Sequence, residues 1–330
     1  MLDTLLDSIR LGGAPLDGCL FLFAGALILI LGAEVFVMAS VRLSRRLGLP
    51  RIAVGLTLVA IGTSLPELAS SLVAVLQEGE KGASLAVGNV VGSNVANIGL
   101  VLGLAALIRP VSTGESRIWP HLLVLVLVTG GFTGMVYALG TLTVPVALGG
   151  MAVFLVYTWL LFRPKVAAWP GSDALESERP GGGLVGDILL FVIGAALVGV
   201  GSETLVKGAV ETAVNLGVSA GVVGAALVAV GTSIPELAVC FSAARRREAG
   251  ILLGNLIGSN IANLLLVFGV VSLIRPLAIG GEALNLYLPA MSVFTILMVV
   301  GIVTHGRVKR VEGLVLLALY ALFQVIVWVQ

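Results

Sequence analysis

The segment GLTLVAIGTSLPELA at residues 55–69 returns as GAALVAVGTSIPELA at residues 224–238, identical at 11 of 15 positions. A second pair follows: GNVVGSNVANIGLVLGLAALI from residue 88 and GNLIGSNIANLLLVFGVVSLI from residue 254 agree at 12 of 21 positions, and Arg-Pro closes both. Such identity over two separated blocks makes the chain a duplicated unit. Both copies lie in apolar sequence, and each sets a carboxylate beside a proline, at Pro66-Glu67 and Pro235-Glu236.

The rest of the chain is as apolar as these blocks. Of 330 residues, 58% are hydrophobic and 11% charged, against roughly a quarter charged in a soluble domain, which excludes a water-soluble globule. The 19 Lys and Arg nearly cancel the 18 Asp and Glu, so no basic excess is available to neutralise a nucleic acid. The two cysteines, Cys19 and Cys240, sit in apolar runs; they read as packing residues, too few for a disulfide framework or a Cys/His metal cluster. Residues 1–18 carry Asp3, Asp7 and Asp17 against one Arg10 and do not read as a signal peptide.

About 20 apolar helical residues cross a bilayer. The sequence therefore predicts an all-α membrane protein of about ten transmembrane helices. They fall at 18–40, 52–77, 82–108, two within 118–162 dividing near 138–144, 187–210, 218–244, 249–274, 283–306 and 312–328. With ten crossings, alternate connections share a side. One side then receives 15 Lys and Arg and the other four, Arg10, Lys81, Lys207 and Arg275. The positive-inside rule places the richer side in the cytoplasm and both termini outside. Residues 1–162 form a first five-helix repeat, 163–186, rich in Pro, Gly and charge, a cytoplasmic linker, and 187–330 a second repeat. An odd number of spans per repeat inverts the second copy. The loops agree, since QEGEK follows the first motif and RRRE the second.

Proline withholds an N–H from the carbonyl four residues earlier and crowds it, so the helices are expected to break around 62–64 and 231–233. Unwound backbone at membrane depth needs a partner, and a cation can be one. Hydroxyls at Thr63, Ser64, Thr232 and Ser233 add neutral oxygens. In GSNxxN, Gly92 and Gly258 are expected to loosen a second pair of helices, while Ser93 with Asn97, and Ser259 with Asn263, share a face at one-turn spacing. An all-oxygen ligand set selects hard cations, and two glutamates match one divalent ion. With two carbonyls and bidentate glutamates the count is about six, within the range of Ca²⁺. Two buried carboxylates without cations are costly, so the site should always hold Ca²⁺, monovalent ions or protons, and obligatory exchange follows.

Two copies of GTSxPE with two of GSNxxN resemble the alpha repeats of the calcium/cation antiporter superfamily, closest to its sodium/calcium exchanger branch and compact prokaryotic members. The resemblance implies a membrane antiporter moving Ca²⁺ against Na⁺, without cofactor or enzymatic activity, in a cell membrane of prokaryotic inner-membrane type. It makes Glu67 and Glu236 the central ligands shared by both ions, joined for calcium by the Thr63 and Thr232 carbonyls. Ala60, Ser64 and Ser93, and Ala229, Ser233 and Ser259, become flanking sodium positions, and Asn97 and Asn263 the central pair below the glutamates. Some relatives have an aspartate in that pair, where this chain has two amides. The residues by themselves leave H⁺, Li⁺ or K⁺ open as the counter-ion.

Other features read more plainly. Glu34 and Glu203 recur 33 residues before each motif glutamate, and Glu203 with Lys207 suits a local ion pair. Asn89 and Asn255 suit interhelical hydrogen bonding, the glycines close packing, and His121 and His305 an interfacial place. A channel builds its filter around an axis between subunits, whereas this chain carries both halves of a site. No Ser/His or Cys/His arrangement supports an enzyme.

Overall fold

The computed structural model describes residues 16–113, 118–163, 183–216, 231–281 and 283–329. Its α-helices include α1 (Leu16–Leu47), α2 (Leu65–Glu78), α3 (Glu80–Ala96), α4 (Trp119–Leu139) and α5 (Val144–Leu161) from the first repeat. The second repeat gives α6 (Leu184–Asn215), α7 (Ile234–Arg245), α8 (Ala249–Ala262), α9 (Leu288–His305) and α10 (Arg310–Val329). Among the described residues nine helical stretches are long and apolar enough to cross a membrane. The tenth, expected over 218–244, is described only from the 3₁₀ turn Gly231–Ser233 into α7.

Burial sorts these spans. In the motif-bearing spans Arg51–Gln77, Lys81–Ile108 and Ala249–Ile274, 61–72% of an apolar 18-residue stretch is buried, against 17–33% in the other six. The outer helices turn Leu27, Leu127, Leu155, Leu189, Ile296 and Leu322 outward, an apolar perimeter suited to lipid. The motif-bearing helices thus form the centre and the other helices of each repeat the rim. His121, in the first turn of α4, is buried and lies 3.1 Å from the Tyr157 hydroxyl, tying α4 to α5.

Helices α1 and α6 are each 32 residues long and overrun the expected spans at both ends. At 1.5 Å per residue they reach about 48 Å, longer than a hydrocarbon core of about 30 Å, and Arg42 and Arg46 fall in the last two turns of α1. They lie against each other through glycines at seven-residue spacing, Gly18, Gly25 and Gly32 on α1 and Gly194, Gly201 and Gly208 on α6. A Cβ on Gly32 would sit 2.7 Å from that of Leu197, and one on Gly194 2.7 Å from the Phe36 backbone. Small residues let helices touch in lipid, where no hydrophobic force draws them together. Gly18 faces Thr212 while Gly32 faces Leu197, so the two equivalent helices run antiparallel.

Two short antiparallel ladders fix the same inversion. Val111–Ser112 pairs with Arg307–Val308, and Thr141–Leu142 with Leu277–Ala278. Helix α4 runs from the first ladder to the second, whereas its counterpart α9 runs from the second to the first. Each ladder joins one repeat to the other, so the two copies are opposed in direction and clasped at both membrane faces. Ion pairs collect on the face of the first ladder: Arg46 with Asp187 at 2.6 Å, Arg51 with Glu248 at 2.9 Å and Arg246 with Glu34 at 2.6 Å.

Candidate functional site

The proline-directed breaks fall where the sequence places them. Ser64 (φ −83°, ψ 3°) separates the helical turn Ala60–Thr63 from α2, and Ser233 (φ −87°, ψ 3°) precedes α7. Pro66 and Pro235 lie in the first turns of the resumed helices, where a missing N–H costs nothing. Glu67 and Glu236 occupy the same turns, so each carboxylate sits at the positive end of a helix dipole.

The GSNxxN segments differ from expectation. Helices α3 and α8 continue unbroken through Gly92 and Gly258, and the departure comes one turn later, as π-helical turns over Asn97–Leu102 and Asn263–Val267. In the second repeat the glycine serves close approach instead: a Cβ on Gly258 would meet the Ala60 methyl at 2.7 Å. Widened turns of this kind recur at functional sites, and here each begins on a predicted ligand.

Glu67, Glu236, Asn97, Asn263, Ser259 and Ala60 are all 0% exposed. Thr63, Ser64, Ser93 and Ser233 are also buried and Thr232 half-buried, while Ala229 lies outside the described residues. The two glutamates are near enough to repel each other. The hydroxyls of Thr63, Ser64 and Ser259 gather about the Glu236 carboxylate, and Ser93 lies beside that of Glu67. Ser64 Oγ donates to Glu236 Oε1 at 3.5 Å, a contact between the repeats.

What these groups lack is as informative. Both carboxylate oxygens of Glu67, Glu236 Oε2, both amide atoms of Asn97, Asn263 Oδ1 and Ser233 Oγ are buried without a hydrogen-bond partner. Polar atoms of folded interiors are otherwise almost always satisfied. Oxygens predominate among them, the ligand type a hard cation takes; Asn260 Oδ1, Ser272 Oγ and Gln324 Oε1 are unpartnered too. Among the described residues no group of three or more His, Cys, Asp and Glu could hold a metal ion. Glu67 and Glu236 supply the carboxylates of the unpartnered set, and its other oxygens are neutral.

Further contacts escape the sequence reading. Asn94 Nδ2 donates to the Asn260 carbonyl at 3.2 Å and Asn94 Oδ1 accepts from Asn263 Nδ2 at 3.0 Å. The Asn that closes GSN recurs in both copies, which was the available signal. The outer glutamates part ways: Glu203 pairs with Lys207 at 2.9 Å as expected, whereas Glu34 accepts from Ser242 at 2.9 Å and from Arg246 across the repeats.

Comparison with known proteins agrees with this architecture. The family described as sodium/calcium exchanger protein matches residues 18–163 and 187–329. The chain is 32% identical to the sodium/calcium exchanger MaX1 of Methanosarcina acetivorans, covering 94% of this chain and 98% of that one. It is 33% identical to the putative antiporter CaxA of Alkalimonas amylolytica, covering 92% and 97%. Superposed on the sodium-calcium exchanger NCX_Mj soaked with Na⁺ and Sr²⁺, it gives a TM-score of 0.80 at 31% identity, over 94% of this chain and 98% of that one. NCX_Mj has ten helices in inverted repeats. The chain is thus an integral multi-pass membrane protein and a calcium/cation antiporter rather than an enzyme, working without a cofactor, and it belongs to the sodium/calcium exchanger family.

Proposed function

We propose that the protein exchanges Ca²⁺ for Na⁺ by alternating access, with both ions held in turn between Glu67 and Glu236 near the middle of the membrane. One observation carries the reading: two fully buried carboxylates, one from each inverted repeat, have oxygens with no partner in the protein. Their combined charge balances one Ca²⁺ or two monovalent ions. Releasing calcium without a replacement would leave buried charge uncompensated, so the empty carrier is disfavoured from crossing and exchange is obligatory.

The division of ligands follows the family resemblance. Glu67, Glu236 and the Thr63 and Thr232 carbonyls hold calcium. Ala60, Ser64 and Ser93, with Ala229, Ser233 and Ser259, hold sodium on either flank, and Asn97 and Asn263 complete the floor. Residues 1–162 and 187–330 act as the two repeats and 163–186 as a cytoplasmic linker, with both termini outside a prokaryotic inner membrane. The positive-inside count supports that orientation.

Purified protein in liposomes loaded with Na⁺ and diluted into Na⁺-free medium with labelled Ca²⁺ should accumulate calcium. Equal uptake driven by a pH gradient without Na⁺ overturns sodium coupling in favour of protons. Uptake with no counter-ion inside overturns antiport.

A further inference from the structure

Two hydrogen-bonded chains cross between the repeats. In one, Asn89 Nδ2 donates to Ser71 Oγ at 3.0 Å, to Ser70 Oγ at 3.0 Å and to the Glu67 carbonyl at 3.4 Å, while Asn89 Oδ1 accepts from Thr232 Oγ1 at 3.1 Å. In the other, Asn255 Nδ2 donates to Cys240 Sγ at 3.5 Å, and Asn255 Oδ1 accepts from Thr63 Oγ1 at 3.0 Å. Ser71 and Cys240 hold the same place in their repeats, four residues after the motif glutamate. A carbonyl oxygen can only accept, so the Glu67 carbonyl requires the nitrogen of Asn89 on its side. Asn89 Oδ1 is then turned to Thr232.

The threonines are where the backbone most needs an external hold. Thr63 ends the helical turn before Ser64, and Thr232 lies in the 3₁₀ turn before Ser233. Pro66 and Pro235 withhold the helical donor from the Gly62 and Gly231 carbonyls, one residue before each threonine, so helical geometry fixes the carbonyls of this stretch less firmly. Each hydroxyl also meets the serine of the opposite GSN, Ser259 at 3.3 Å from Thr63 and Ser93 at 3.1 Å from Thr232. The amides and their anchors are buried: Asn255 and Cys240 are 0% exposed, Ser71 1% and Asn89 8%.

We infer that Asn89 and Asn255 are positioning residues of the ion site, each fixing the threonine of the opposite repeat and through it the carbonyl that faces the ion, with Ser71 and Cys240 as their anchors. The inference rests on the calcium reading above. It gives the interhelical asparagines a task beyond packing, and it makes the spacing of the two calcium carbonyls depend on contacts between the repeats. The second chain ends on sulfur and is the longer and weaker of the two, so the two threonines are held unequally.

The test is a double-mutant cycle read by calcium self-exchange, labelled Ca²⁺ entering Ca²⁺-loaded liposomes, which needs no particular counter-ion. Asn255→Leu and Thr63→Val each remove one partner of a neutral hydrogen bond and keep every backbone carbonyl. Each should raise half-saturating Ca²⁺ about fivefold at unchanged maximal rate. The double variant should show no more than the larger single effect, not about twenty-five-fold, because once Thr63 Oγ1 is gone Asn255 has no hydroxyl left to hold. Thr63→Val combined with Asn89→Leu should multiply, since Asn89 serves Thr232. If Asn255→Leu fails to insert, Asn255→Ser, too short to reach Thr63, replaces it in the cycle. Multiplying effects for Thr63 with Asn255, or a fall in maximal rate at unchanged half-saturation, overturn the positioning role and leave the calcium reading standing. No self-exchange by the unaltered protein overturns the calcium reading itself.

Discussion

At the level of single residues, Glu67 and Glu236 have no structural work that would explain their burial. Three of their four oxygens have no hydrogen-bond partner, whereas a glutamate kept for packing would be bonded on both. Replacing Glu67 or Glu236 by Gln preserves shape and one oxygen but removes half of the charge that balances a divalent ion. Breaking a buried charge set costs about 3–5 kcal/mol, and at about 1.4 kcal/mol per decade that is more than a hundredfold in calcium affinity. Calcium uptake by either variant should fall to background. Its melting temperature in detergent without calcium should stay level or rise, since the repulsion between the carboxylates is relieved. Full uptake by Glu67→Gln at neutral pH would falsify ligation by that side chain.

Among the helices, the pairing of α1 with α6 depends on residues with no side chain. Gly201 lies against the Leu29 backbone closely enough that a Cβ cannot be accommodated without moving the helix, whereas no described atom lies within 4 Å of a Cβ on Gly199. Overpacking a close contact costs about 1–3 kcal/mol. Gly201→Val should therefore lower the thermal midpoint in detergent by several degrees, and Gly199→Val should leave it nearly unchanged. Equal shifts would mean that the glycines act through helix propensity and not through contact. Polar ties between helices add register: Glu34 reaches Ser242 on α7 and Arg246 just past its end, and Arg46 reaches Asp187 on α6.

For the molecule as a whole, inversion makes a claim about sides. Gly79, between the first two motif spans, lies by Arg275, and Gly250, beside the equivalent loop, lies by Arg51. The cross-repeat ladders put those two places on opposite faces. In a background with Cys19 and Cys240 replaced by serine, a cysteine at the exposed Gln77 should react with an impermeant thiol reagent in intact cells. One at the exposed Arg245 should react only after permeabilisation, as the positive-inside count requires. Labelling of both from one face is incompatible with opposed repeats. The reverse pattern would keep the inversion and flip the orientation.

The features legible in the sequence rest on covalent or compositional facts. Apolar length counts spans, duplication is visible as identity, and proline lacks an N–H wherever it stands, so the breaks at Ser64 and Ser233 and the pairing of one glutamate from each copy could be read directly. The extra length of α1 and α6 was less legible, because charged side chains at their ends hide helix that continues past the hydrocarbon. The sequence also suggested breaks at Gly92 and Gly258. Glycine weakens a helix locally, but α3 and α8 run on through both; Gly258 is small because the Arg51–Gln77 span passes close by, whereas nothing lies within 4 Å of a Cβ on Gly92. No local rule announces a π turn beginning at Asn97 or Asn263, nor that Thr63 meets Asn255, 192 residues away. The same holds for the outer glutamates, equivalent by position yet differently paired, one within its helix and one across the repeats. The sequence by itself determined the kind of protein and the charge at its centre. The tertiary structure decided which neutral groups surround that charge, because two inverted copies set face to face create contacts whose partners lie in different halves of the chain.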